Sequence, residues 1–205
     1  DIEELINEPF DFFVSGEGEE IFRELLNEIK GSRNYERVRG IDAKNGDCIT
    51  FTPPRERNFN LDKLPNALRF PIILNQSYKG ISIPPLSENP GYAIVESSRG
   101  CFYQCKFCDV PNFYGNKITF KSPQKVVDEL FELKIKGADF FYFMDMNFCA
   151  SPKHAFQLCE EMIKRRLNAN WYCMSNVASV DGKWDLLDIM KEAGCYKIAW
   201  GIEST

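Results

Sequence analysis

The sequence predicts an α/β fold: part of a parallel (β/α) barrel, preceded by the last βα unit of a doubly wound sheet. Three observations predict it. From Gly91 onward, short apolar strands alternate three times with amphipathic helices across short connections, the pattern of parallel βαβ units. Right-handed crossovers between such units curl a sheet toward a barrel. Near the start stands a single strand–loop–helix unit, Phe10 to Lys30, without neighbours of its kind.

The elements follow in order. Asp1 to Asn7 reads as the tail of a helix. Phe10-Asp11-Phe12-Phe13-Val14 reads as a buried strand, Ser15-Gly16-Glu17-Gly18-Glu19 as a tight loop, and Glu20 to Lys30 as a helix. Residues 1–30 are therefore expected to end a first domain. Residues 31–90 are expected to be a linker holding a hairpin, Arg37 to Phe51, that turns at Asn45-Gly46, a dipeptide suited to a tight hairpin turn. The rest of the linker is rich in Pro and Asn.

Residues 91–205 are expected to be the truncated barrel. Gly91 to Glu96 is its first strand and runs into a cysteine-rich loop. Ser122-Pro123 opens a helix with an N-cap serine and a proline at the first helical position. Val126, Val127, Leu130, Phe131 and Leu133 give it an apolar face, and Gly137 ends it. Phe140 to Met144 is the second strand, and Ser151-Pro152 repeats the helix start. Trp171 to Met174 is the third strand, Trp184 to Lys191 a helix ended at Gly194, and Tyr196 to Trp200 the fourth strand. Four strands do not close a barrel, so the chain is expected to be a fragment of a larger one.

The composition excludes some functions. Of 205 residues, 44% are hydrophobic and 14% aromatic, enough for a sizeable core. The net charge of −5 argues against non-specific nucleic-acid binding. No apolar run reaches membrane-spanning length, and Asp1-Ile2-Glu3-Glu4 is no signal peptide. The eight cysteines are irregularly spaced, which points to a reduced, cytoplasmic protein with a metal site rather than a disulfide framework. Cys48, Cys149, Cys159, Cys173 and Cys195 are expected to be small buried hydrophobes. Arg33, Arg37, Arg39, Arg55 and Arg57 read as solvated linker charge, and His154 as a helix-surface residue.

Cys101-Phe102-Tyr103-Gln104-Cys105-Lys106-Phe107-Cys108 carries the chemistry. Three thiolates in a C-x3-C-x2-C run can hold three irons of a cubane [4Fe–4S] cluster, leaving one iron open to a non-protein ligand. Zinc wants four ligands, and no second cysteine pair or nearby histidine supplies the fourth. The run also follows the first strand of a parallel sheet, and ligands collect at the carboxyl ends of such strands.

This loop, with Phe107 just before its last cysteine, resembles the signature of the radical S-adenosylmethionine (radical SAM) enzymes, over about residues 88–205. Val14-Ser15-Gly16-Glu17-Gly18-Glu19-Glu20, Glu96-Ser97-Ser98-Arg99-Gly100-Cys101, Phe143-Met144-Asp145-Met146-Asn147-Phe148 and Gly201-Ile202-Glu203-Ser204 together look like its cobalamin-binding subclass. The resemblance implies a Rossmann-like cobalamin domain ahead of the barrel, ending near Gly16, Glu17 and Gly18. It implies that S-adenosylmethionine chelates the open iron and is cleaved to a 5′-deoxyadenosyl radical, which abstracts hydrogen from a small-molecule substrate. It implies an external electron donor such as flavodoxin or ferredoxin.

The resemblance also implies site residues at the strand ends. Asp145 and Asn147 are expected near the methionine amino group, although Met146 stands where an acidic residue is common. Ser175 and Asn176 are expected near the ribose or carboxylate, Glu203 at the ribose hydroxyls, and Phe107 near adenine. Arg99 is a candidate to offset the cluster's charge. No Asp-x-His-x-x-Gly motif is present to ligate cobalt. The implied reaction is methylation of an unactivated carbon. Radical rearrangement or ring formation is the alternative within the subclass. A tRNA-modifying methylthiotransferase and a non-catalytic iron–sulfur protein are the others.

Overall fold

A computed structural model describes residues 9–45, 48–66 and 91–202. The expected helix tail at Asp1–Asn7, the turn residue Gly46, much of the linker and Glu203 lie outside the described residues. The described chain divides into two compact units, one ending at Phe59 and one beginning at Asn60.

In the first unit, β1 (Phe12–Val14) is followed by α1 (Gly18–Lys30). The helix turns Ile21 and Leu25 inward, where they meet Val38 and Ile41. β1 pairs antiparallel with β2 (Ile41–Asn45), and β2 with β3 (Cys48–Phe51), so the expected hairpin forms and takes β1 as its third strand. The strand, the helix and the hairpin thus belong to one unit.

The arginines at the end of this unit are not the solvated linker charge the sequence suggested. Arg55 pairs with Glu24 at 2.5 Å and Glu20 at 3.4 Å. Arg57 lies 3.6 Å from Glu17. Glu20 and Glu24 fall on one face of α1 by helical spacing, and Glu17 stands just before its first residue, so the three hold residues 55–58 along it. Cys48 departs as well: it is exposed on β3 rather than buried.

The second unit is built on a parallel sheet of β4 (Tyr92–Val95), β7 (Phe140–Phe143), β8 (Asn170–Ser175) and β9 (Cys195–Trp200). The spatial order equals the chain order among these four. Each strand is added to the same edge, which is how a (β/α) barrel grows; a doubly wound sheet reverses its order partway. Helices α3 (Pro123–Ile135), α4 (Pro152–Lys164) and α5 (Trp184–Glu192) connect them.

One face of the sheet makes the core with those helices. Val126, Val127, Leu130 and Leu133 of α3 and Ala155, Leu158 and Met162 of α4 pack on Val95, Phe141, Phe143 and Trp171. Trp171 meets Phe143 and Phe148 at 5.2 and 5.1 Å between ring centroids, and its Nε1 donates to the Ala193 carbonyl at 2.9 Å. Each large side chain so buried contributes roughly 1.5–3 kcal/mol. Strand alternation sends Ile94, Tyr142, Met144, Tyr172 and Met174 to the other face, where Tyr142 and Tyr172 stack 4.2 Å apart. Gly194, at φ +96°, ends α5 and passes so close to the Ala169 carbonyl that a Cβ would lie 2.1 Å from it.

Both expected N-caps form. Ser122 Oγ accepts from the Lys125 amide and Ser151 Oγ from the His154 amide, each at 3.3 Å. Replacing either serine with alanine should lower stability by about 1 kcal/mol, checked by urea denaturation of each variant.

Two strands and a short helix go beyond the sequence expectation. β5 (Ser98–Gly100) and β6 (Ile118–Phe120) pair antiparallel, with Arg99 opposite Thr119. Between them runs the cysteine loop with α2 (Val110–Tyr114). The loop therefore stands on a hairpin stem. His154, expected on a helix surface, is only 9% exposed. Its Nε2 pairs with the Lys121 carbonyl at 2.8 Å and its ring packs on Phe120. The helix face that carries it is covered by the stem.

Candidate functional site

The carboxyl ends of β4, β7 and β8 come together around the cysteine loop. Cys101 follows β5 directly, and the Cys108 amide donates to the Cys105 carbonyl at 3.0 Å, closing a turn. All three cysteines are free and half-buried. Burial pushes the Cys101 thiol above the ordinary range; the Tyr103 and Phe102 amides act the other way, and Cys105 and Cys108 add to the rise.

This donor set fits a [4Fe–4S] cluster. Among the described residues, no three His, Cys, Asp or Glu side chains converge on a point that one ion would fill. A cubane does not require that, because each of its cysteines binds a different iron. Amide N–H groups directed at a ligand sulfur also stabilise the thiolate form.

Asp145, just past β7, anchors the base of the loop. It is fully buried. Its Oδ2 accepts from the Ser97 amide at 3.0 Å, and its Oδ1 accepts from the Ser97 hydroxyl at 2.7 Å and from the Ser98 hydroxyl. Burial pushes this carboxyl above the usual aspartate range, against the three donors. Its side chain spans from β7 to the start of β5.

Asn147 is the second anchor. Its Oδ1 accepts from the Ser175 hydroxyl at 2.9 Å and the Asn176 amide at 3.3 Å. Its Nδ2 donates to Ser179 Oγ at 3.0 Å. Asp145 and Asn147, expected at the methionine amino group, thus spend polar atoms on the protein itself. Ser175 is buried beside Asn147, and Asn176 is half-buried beyond it. Phe107 is 69% exposed.

Arg99 pairs with Glu96 at 2.6 Å, and Lys121 lies 3.6 Å from Glu96 and 3.2 Å from buried Glu129. Two cations and two carboxylates therefore balance beneath the loop. Gly16 and Gly18 lie in the first unit, with Gly16 at φ +94° and open space where a Cβ would stand. The Glu17 carboxylate accepts from the Asn58 amide at 2.7 Å. None of the site residues lines the groove of about 720 Å³ between α3, α4 and α5.

Sequence reasoning did not single out Tyr103, Ser97, Ser98 or Ser179 individually. Each acts through a partner distant in sequence, so no local spacing marks it.

A family model described as the Radical SAM superfamily matches residues 95–205, from the last residue of β4 through β9. The chain belongs to the radical SAM superfamily. Among curated relatives of this radical SAM chain is an uncharacterized methyltransferase of Pyrococcus horikoshii, 28% identical over 95% of this chain and 40% of its own. The anaerobic magnesium-protoporphyrin IX monomethyl ester cyclase of Rubrivivax gelatinosus is 30% identical over 95% of this chain and 34% of its own. The chain thus spans well under half the length of either relative.

Two solved structures share the fold. The radical S-adenosylmethionine methyltransferase TsrM of Kitasatospora setae, solved with tryptophan and a SAM analogue, matches with a TM-score of 0.70 at 22% identity, over 94% of this chain and 37% of that one. OxsB, a cobalamin-dependent S-adenosylmethionine radical enzyme solved with aqua-cobalamin and S-adenosylmethionine, matches with a TM-score of 0.71 at 19% identity, over 98% of this chain and 29% of that one.

Proposed function

We propose that the protein is a cobalamin-dependent radical SAM enzyme that cleaves S-adenosylmethionine reductively and methylates an unactivated carbon of a small molecule. The observation that carries this reading is the three-cysteine loop held by Asp145 at the carboxyl edge of a parallel sheet. Cys101, Cys105 and Cys108 would hold the [4Fe–4S] cluster, with one iron left for S-adenosylmethionine. When bound, the cluster supplies the electron for cleavage and cobalamin carries the methyl group.

The chain's own residues shape the site. Asp145 fixes the base of the cysteine loop, and Asn147 joins the ends of β7 and β8. Ser175 and Asn176 would offer polar groups there and Phe107 an exposed ring for adenine; Glu203, outside the described residues, would supply a carboxylate for ribose hydroxyls. In the first unit, Gly16 and Gly18 would meet cobalamin through backbone, since the Glu17 carboxylate is engaged by Asn58 and Arg57. The name of OxsB supports the cobalamin subclass, and the names of the Pyrococcus relative and of TsrM support methyl transfer. Among the described residues no helix is long and apolar enough to cross a membrane. A cytoplasmic site and a flavodoxin or ferredoxin donor complete the reading.

The Rubrivivax relative favours a second reading, ring formation without methyl transfer. Methyl-labelled S-adenosylmethionine separates the two in full-length protein reconstituted anaerobically with iron, sulfide and cobalamin. On reduction, 5′-deoxyadenosine should form and label should leave S-adenosylmethionine for the cobalamin or a methylated product. Deoxyadenosine without label transfer supports ring formation. No cleavage by the reduced, cluster-loaded protein sinks both and leaves an iron–sulfur protein for electron transfer or sensing.

A further inference from the structure

Tyr103 sits between two of the three cysteines, Cys101 and Cys105, and its side chain reaches out of the loop. Its hydroxyl lies 3.3 Å from Ser179 Oγ. Ser179 Oγ in turn accepts from Asn147 Nδ2 at 3.0 Å, and Asn147 Oδ1 holds Ser175 and Asn176. Ser179, Asn147 and Ser175 are all buried. The far end is fixed further: the Ser179 carbonyl accepts from Lys183 Nζ at 3.0 Å, and Asn176 Oδ1 accepts from the Ala178 amide at 2.8 Å.

Among the described residues the loop has a second attachment, at its stem. There Gly100 pairs with Ile118, and Asp145 holds Ser97 and Ser98. The stem fixes where the loop begins and ends. It does not set the tilt of the segment from Cys101 to Cys108. A side chain bonded from within that segment to the ends of β7 and β8 does.

We propose that Tyr103 is a positioning residue: its hydroxyl, through Ser179 and Asn147, sets the tilt at which the cysteine loop presents its cluster to S-adenosylmethionine. The proposal rests on the radical SAM reading above. It assigns the Asn147 amide to holding the loop as well as lining the site. Without the hydroxyl the stem still gathers the cysteines, so cluster uptake persists. The open iron then faces S-adenosylmethionine over a range of angles, and binding weakens by about the worth of one hydrogen bond, roughly two- to tenfold.

The test uses full-length protein and the variants Tyr103→Phe, Ser179→Ala and both together, reconstituted anaerobically. Circular dichroism and iron and sulfide content report folding and uptake. The electron paramagnetic resonance spectrum of the reduced cluster, titrated with S-adenosylmethionine, reports presentation. Both single variants should match wild type in iron content and half-saturate at about two- to tenfold higher S-adenosylmethionine. The double variant should be no weaker than Ser179→Ala alone, because both changes remove the same bond. Wild-type saturation and spectrum in Tyr103→Phe would overturn the proposal alone, as would losses that add in the double variant. A wild-type protein that takes up no cluster would overturn the radical SAM reading, and this proposal with it.

Discussion

Replacing Cys101, Cys105 or Cys108 with alanine, one at a time, should abolish reductive cleavage of S-adenosylmethionine and strip most of the iron from the protein. A cubane held by three cysteines already gives up the fourth protein ligand; a second open iron leaves the cluster open to loss. The three positions are not interchangeable in surroundings. Cys101 adjoins the β5 stem, whereas Cys105 and Cys108 share one turn. The loss should nonetheless be complete at each. Cys48→Ala is the control, because Cys48 is exposed on β3 in the other unit. It should keep wild-type iron content and cleavage. Iron and sulfide analysis with detection of 5′-deoxyadenosine decides it, and wild-type cleavage by any one of the three variants sinks the ligand assignment.

The strands and helices of the second unit were legible because each has a local signature. Ser122-Pro123 and Ser151-Pro152 announce helix starts, and the apolar run Phe140–Phe143 announces a buried strand. β5 and β6 were not legible: each has three residues, too short for alternation to register against the loop around it. His154 looked exposed because its own helix does not reveal the neighbour that covers it. Arg55 and Arg57 looked solvated for the same reason, since Glu17, Glu20 and Glu24 lie more than thirty residues upstream. The three-cysteine run was legible from spacing. The side chains that hold the loop were not, because Ser97 meets Asp145 across 48 residues and Tyr103 meets Ser179 across 76.

Asp145→Ala should cost about 2–4 kcal/mol of stability, because it leaves three donors without their buried acceptor. Ser97 and Ser98 are buried as well, so water cannot readily replace the carboxylate. For a chain of this size that is a fall of about 4–16 °C in melting temperature. The damage should reach the site, since Ser98 opens β5 and β5 is half of the loop's stem; cluster uptake should fall with stability. Asp145→Asn keeps the volume and one acceptor oxygen, so it should cost less. The two differ in pH dependence. Burial raises the Asp145 carboxyl above its unfolded value. Its contribution is therefore fully present below the unfolded pKa, about 3.9, and is lost as pH rises through the folded value. Asparagine does not titrate. The stability gap between wild type and Asp145→Asn should accordingly narrow as pH rises from about 4 toward 8, read from melting temperatures in a buffer series. A gap that widens with pH would show that the three donors, rather than burial, dominate this carboxylate.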